Sequence, residues 1–114
     1  MILYVRQLAW LHGRVPDSEL VRMRLIKKQE DLDLPELGSL SYLIDLFEDA
    51  GIATSGKALS WAEIKAWQSL TLTPLAVWEA RLIKEMSAAY MSAFRKYDQS
   101  SEDSPAIAYR CQNG

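Results

Sequence analysis

One histidine, His12, and one cysteine, Cys111, are the only residues of their kinds in the chain. Acid–base catalysis by His12 would need a proton partner held within hydrogen-bond reach. None stands near it in sequence, and its place just before Gly13 reads as a helix end or a solvent-facing position. A zinc centre draws four ligands mainly from Cys and His, so one of each is too few. Asp45, Glu48 and Asp49 cluster on one predicted helix, but their spacing is not that of a calcium loop, and a solvated acidic face is the plainer reading. Glycine-rich phosphate loops, a G-x-S-x-G elbow and H-E-x-x-H are all missing from the sequence. The expectation is a non-enzymatic chain with no cofactor and no metal.

The elements that would position these groups are helices. In the stretch from Ser39 to Ala50 apolar residues fall at 40, 43, 44, 47 and 50, one helical face. Gly51 stops it, with Ile52 packing back on Phe47; Ala53 to Lys57, containing Ser55-Gly56, reads as a loop. Ser60-Trp61-Ala62-Glu63 fits the S-x-x-E capping box, with Leu59 and Ile64 as its hydrophobic staple. A short helix from there to about Leu70 is expected to bury Trp61, Ile64 and Trp67. Thr73-Pro74 predicts the start of a last helix, with Leu72 and Val77 as a second staple. Its apolar residues at 75, 78, 82, 86, 89, 90, 93, 94 and 97 carry it through Tyr97, a length of about 36 Å at 1.5 Å per residue. The far end is expected to project beyond the core. In so small a domain Trp61, Trp67 and Trp78 are expected inside, whereas Trp10 is the better candidate for exposure.

The N-terminal third is less sharply patterned. Val15-Pro16-Asp17-Ser18-Glu19 predicts a helix from about Asp17 to Glu30 that buries Leu20, Met23 and Ile26, with Val21 and Leu25 nearby. Met1 to Leu11 fits either a helix or a short strand ending at Gly13. Leu34-Pro35-Glu36-Leu37-Gly38 is a linker or turn, and residues 99–114 read as a polar, flexible tail. The fold class is therefore all-α: a single-domain bundle of four to five helices over residues 1–98, with a long C-terminal helix and a tail over 99–114.

Composition sets the remaining bounds. The chain has 114 residues, 49% of them hydrophobic, enough for one core. A formal net charge of -2 gives no basic excess for nucleic acid. No apolar run approaches the roughly 20 residues that span a bilayer, and Arg6 and Gln7 cut short the apolar start, so neither a membrane span nor a secretory leader is expected. The lone cysteine suits a reducing cytosol. Charge is uneven along the chain: residues 31–56 hold six acidic groups and no basic one, while residues 1–30 and 57–97 each hold six basic and three acidic. Such segments either face each other, within the fold or across a subunit contact, or form an unevenly charged solvated surface. A turn at Thr71-Leu72-Thr73 between two helices raises a helix-turn-helix DNA-binding regulator as a third-ranked reading, but Pro74-Leu75-Ala76-Val77-Trp78-Glu79 lacks residues that read base edges.

Leu59-Ser60-Trp61-Ala62-Glu63-Ile64-Lys65-Ala66-Trp67, Trp78-Glu79 and Met86-Ser87-Ala88-Ala89-Tyr90 resemble short motifs shared by small bacteriophage tail proteins, the tail assembly chaperones. The resemblance covers roughly residues 34–90. It implies a chaperone of phage or prophage tail morphogenesis in the host cytoplasm, one that keeps the long tape-measure protein soluble and helps recruit tail tube subunits. The family's tryptophans correspond to Trp61, Trp67 and Trp78, and it carries no catalytic residues. The alternative is a structural adaptor or terminator retained in the virion. Trp10, Tyr90, Phe94 and Tyr97 are the candidate protein-binding residues, and the apolar face of the last helix predicts a dimer or higher oligomer.

Overall fold

A computed structural model describes residues 1–16, 20–26, 32–54, 57–100 and 103–107. The described chain is mostly helical. Helices α1 (Ile2–His12), α2 (Arg22–Leu25), α3 (Tyr42–Asp49), α4 (Trp61–Thr71) and α5 (Val77–Tyr97) are joined by a 3-10 turn at Gly38–Leu40 and a hairpin of β1 (Ala53–Thr54) and β2 (Lys57–Ala58).

α5 is the spine, and α1 packs lengthwise along it. Val5, Leu8 and Ala9 of α1 meet Ile44 and Phe47 of α3, Ile64 and Trp67 of α4, and Ile83, Met86, Tyr90, Met91, Ala93 and Tyr97 of α5 in one buried cluster. Burying a side chain of the size of Phe47 or Met86 contributes about 1.5–3 kcal/mol. The far end of α5 does not project, because α1 and the residues after it cover it. Its buried stripe also differs from the expected one. Ile83, outside the predicted pattern, is fully buried, and Trp78 is exposed. A run of i+4 steps drifts about 40° per step around a helix with 3.6 residues per turn, so position 78 has left the face that position 86 occupies.

α1 resolves as a helix. Val5, Leu8 and Ala9 face the main core, while Gln7 and Leu11 are also buried. Gln7 Nε2 donates to the Leu32 carbonyl (2.9 Å), and its Oε1 accepts from the Ala106 amide (3.1 Å). Burial on more than one side removes the single apolar stripe that identifies a helix in sequence. Ser104, Pro105 and Ala106 are buried. Part of the segment read as a flexible tail thus packs onto the helical domain, and residues 101–102 and 108–114, Cys111 among them, lie outside the described residues.

The helix expected from Asp17 to Glu30 is a single turn at Arg22–Leu25; residues 17–19 and 27–30 lie outside the described part. Val21 is extended and pairs with Arg14 in an antiparallel bridge. Leu20 and Leu25 are exposed, and the buried residue is Arg22. Its guanidinium donates to the Trp10 carbonyl (2.9 Å) and the Tyr97 carbonyl (2.6 Å), and lies 5.0 Å from the Trp10 ring centroid. A cation there adds a second donor to carbonyls at the C-terminal ends of α1 and α5, which also accept from the Gly13 and Ser100 amides. Gly13 makes room for it, since a Cβ at that position would stand 2.6 Å from Arg22 Nη1. Next to this node Arg14 grips Asp98 through Nε (3.2 Å), Nη2 (2.9 Å) and its backbone amide (2.8 Å).

α3 ends as its sequence predicts. Gly51 takes φ +100, and the Ile52 amide returns to the Phe47 carbonyl at 3.2 Å. Ala53–Thr54 and Lys57–Ala58 pair as antiparallel strands where a loop was expected; Ser55 and Gly56 lie outside the described residues. Ser87, fully buried on α5, fastens both ends of this hairpin: its hydroxyl accepts from the Leu59 amide (2.8 Å) and donates to the Ile52 carbonyl (2.5 Å). The α4 capping box forms in both directions, Glu63 amide to Ser60 Oγ (3.2 Å) and Ser60 amide to Glu63 Oε1 (3.0 Å). α5 starts at Val77, three residues later than Thr73-Pro74 predicts. The Thr73 hydroxyl pairs with Thr71, and the Glu79 carboxylate accepts from the Ala76 amide at 2.8 Å, so the start moves to where Glu79 can reach back. The second staple does not form, since Leu72 and Val77 both face solvent.

Candidate protein-binding surface

The groups with chemical potential are held in structural roles. His12 Nδ1 lies 2.6 Å from the Tyr90 hydroxyl, with the two rings edge to face. Burial pushes the His12 imidazole below its ordinary value and the Tyr90 phenol above its own. Tyr90 also packs against Phe47 and stacks on Phe94. Burial lowers the Arg22 guanidinium, partly offset by Asp98. The Asp98 carboxyl is held below its usual range, chiefly by the Arg14 side chain. Among the described residues no group of three or more His, Cys, Asp or Glu stands together to hold a metal ion.

Of the residues expected to bind protein, Tyr90 and Tyr97 are buried in the core, and Phe94 and Trp10 are half-buried against it. They do not form a surface. Tyr90 is fixed by His12 and Phe47, and Trp10 by Arg22. Of the three tryptophans expected in the core only Trp67 is there, its indole N–H donating to Asp49 at 2.8 Å.

The most exposed large apolar side chains, Leu70, Leu72 and Val77, lie at the corner joining α4 to α5, with Trp78 next along the chain and Trp61 at the start of α4; Leu20 and Leu25, away from this region, are about half exposed as well. Leu70 and Leu72 are each 86% exposed, Trp78 53% and Trp61 51%, and Val77 is open as well. Leu72 is the most telling. It closes α4 in the left-handed conformation, φ 53 and ψ 39, a geometry that glycine adopts freely and an L-residue only at a cost of about 1–2 kcal/mol. Its side chain contributes nothing in return, because it stands in water. Asp33, Ile52 and Gln99 also have positive φ, but of these four only Leu72 combines it with an exposed apolar side chain; strain of this kind concentrates at functional sites.

A depression of about 400 Å3 lies between Trp61 and α5 and is lined also by Arg81, Lys84, Glu85 and Ala88. Lys84 Nζ sits 5.6 Å from the Trp61 ring centroid. Sequence reasoning missed Leu70 and Leu72 because apolar residues beside a helical stripe read as part of it. The one available signal was Leu72 at a helix end where glycine is usual.

No helix among the described residues is long and apolar enough to cross a membrane. Comparison with protein-family models, curated proteins and solved structures finds no match to the chain.

Proposed function

We propose that this chain is a non-enzymatic assembly factor of a phage or prophage tail, working in the host cytoplasm, and that it engages an apolar helical stripe of the tape-measure protein through the α4–α5 corner. The observation that carries the reading is Leu72, strained in its backbone and exposed in its side chain. The tail-chaperone motifs support it in a specific way. Several of their residues have structural work in this fold: Ser60 and Glu63 cap α4, Trp67 bonds Asp49, and Ser87 holds the hairpin. Trp61 and Trp78 are left with half their surface in water, and large exposed aromatics are the residues that dominate binding hot spots. An apolar corner of this kind suits the apolar face of an amphipathic helix.

Co-expression with the neighbouring tape-measure protein tests the proposal. The expected result is a soluble complex of the two; unchanged solubility and no recovered complex would end it. Mass spectrometry of purified virions separates the assembly factor from a retained adaptor, since an assembly factor is missing from the finished particle.

A further inference from the structure

The uneven charge along the sequence becomes two surfaces in the fold. On α3, Asp45 and Glu48 are exposed, and among the described residues no ion pair holds either. Asp45 edges a depression of about 290 Å3 lined also by Tyr4, Pro35, Leu37, Ser41 and Ile44. That volume is at the lower limit for small-molecule sites and suits one large side chain. Both carboxylates act on Tyr4, adding to the effect of burial in raising its phenol. Elsewhere, Trp61 on α4 shares a depression with Arg81, Lys84, Glu85 and Ala88 of α5.

These two faces cannot satisfy each other within one chain. α3 meets α5 through Phe47 against Tyr90 and through Tyr42, whose hydroxyl donates to Glu79 at 2.8 Å. Arg81 lies two residues on, about 200° around the helix at 3.6 residues per turn, so it points away from α3. Across two copies they match in charge: a half-exposed Trp61 with Arg81 and Lys84 outnumbering Glu85 beside it, and a depression edged by Asp45 with Glu48 near by. The formal net charge of -2 leaves little repulsion to keep copies apart.

We propose that the Trp61 face of one copy seats on the Tyr4–Ile44 depression of a second copy, with Arg81 and Lys84 meeting Asp45 and Glu48. The contact joins different faces, so a pair of copies keeps one free face of each kind and can add further copies. It shares Trp61 with the tape-measure reading but uses neither Leu72 nor Trp78, so Leu72→Gly tests that reading and Arg81→Glu tests this one.

Sedimentation velocity of the full chain is the test, at about 0.05 M and about 0.5 M salt, where the screening length changes severalfold. The expected result is a mass above the 13.0 kDa monomer at low salt that falls toward it at high salt. Arg81→Glu alone and Glu48→Arg alone should each give monomer at low salt with an unchanged circular dichroism spectrum, both positions being exposed. Mixing the two variants should restore association, because each then offers the charge the other now needs. A 13.0 kDa species at low salt in the unmodified chain would overturn the proposal. So would association that neither salt nor either variant weakens, or a mixture that stays monomeric.

Discussion

At the residue scale, single buried polar groups fix how segments meet. Ser87 is the clearest, with one hydroxyl serving the Leu59 amide and the Ile52 carbonyl at the two ends of the hairpin. Ser87→Ala strands both, and with each buried unsatisfied group worth about 1–3 kcal/mol the expected loss is about 2–4 kcal/mol in denaturant unfolding. A loss below about 0.5 kcal/mol, the size of an ordinary surface substitution, would show that water replaces the hydroxyl. His12 makes stability depend on pH. Its folded value is lowered from 6.5, so just below pH 6.5 the unfolded chain binds the extra proton first. Stability is then full above that pH, falls as pH drops through the window between the unfolded and folded values, and levels off beneath it. His12→Gln keeps a partner for Tyr90 and removes the titration, so its stability should be flat across that window where the unmodified chain declines. Parallel profiles would remove His12 as the cause. Asp98 adds a separate loss in more acid solution. Its folded value lies below 3.8, so its contribution is present above the unfolded value and disappears as pH falls through the folded one.

At the element scale, α4 rests on little burial, Ile64 and Trp67 alone, and depends on its cap. Ser60→Ala should cost about 1 kcal/mol, within the 0.5–2 kcal/mol of measured N-caps, and hydrogen exchange should show the loss concentrated in the first turn of α4. A cost spread evenly over all helices would argue against that dependence. The same element shows what sequence can reveal. The Ser60–Glu63 box and the Gly51 stop were readable because local chemistry alone determines them. The start of α5 was misplaced because Thr73-Pro74 and Glu79 offer competing caps, and tertiary placement decides between them. α2 was overdrawn because Arg22, which sequence reads as a surface residue, is buried by carbonyls from α1 and α5 that lie far away along the chain.

At the scale of the whole molecule, the all-α bundle with its long last helix was legible from periodicity, whereas the candidate surface was not. Tyr90, Phe94 and Tyr97 were assigned to binding on the premise that α5 outruns the core. Once α1 lies along α5, two of them become core, and the exposed apolar area moves to the α4–α5 corner. Trp61 and Trp78 were assigned to the core because a 114-residue domain has use for every large aromatic. The proposed partner contact would cover them.

Leu72 allows the central claim to be tested directly, because there stability and binding should move apart. Leu72→Gly relieves the left-handed strain and removes the exposed side chain. Denaturant unfolding should therefore show stability no lower than that of the unmodified chain, and up to about 1 kcal/mol higher. Co-expressed with the tape-measure protein, the same variant should recover at least about tenfold less complex, the effect of losing about 1.4 kcal/mol of binding. Undiminished recovery of the complex by a folded Leu72→Gly chain would contradict the account.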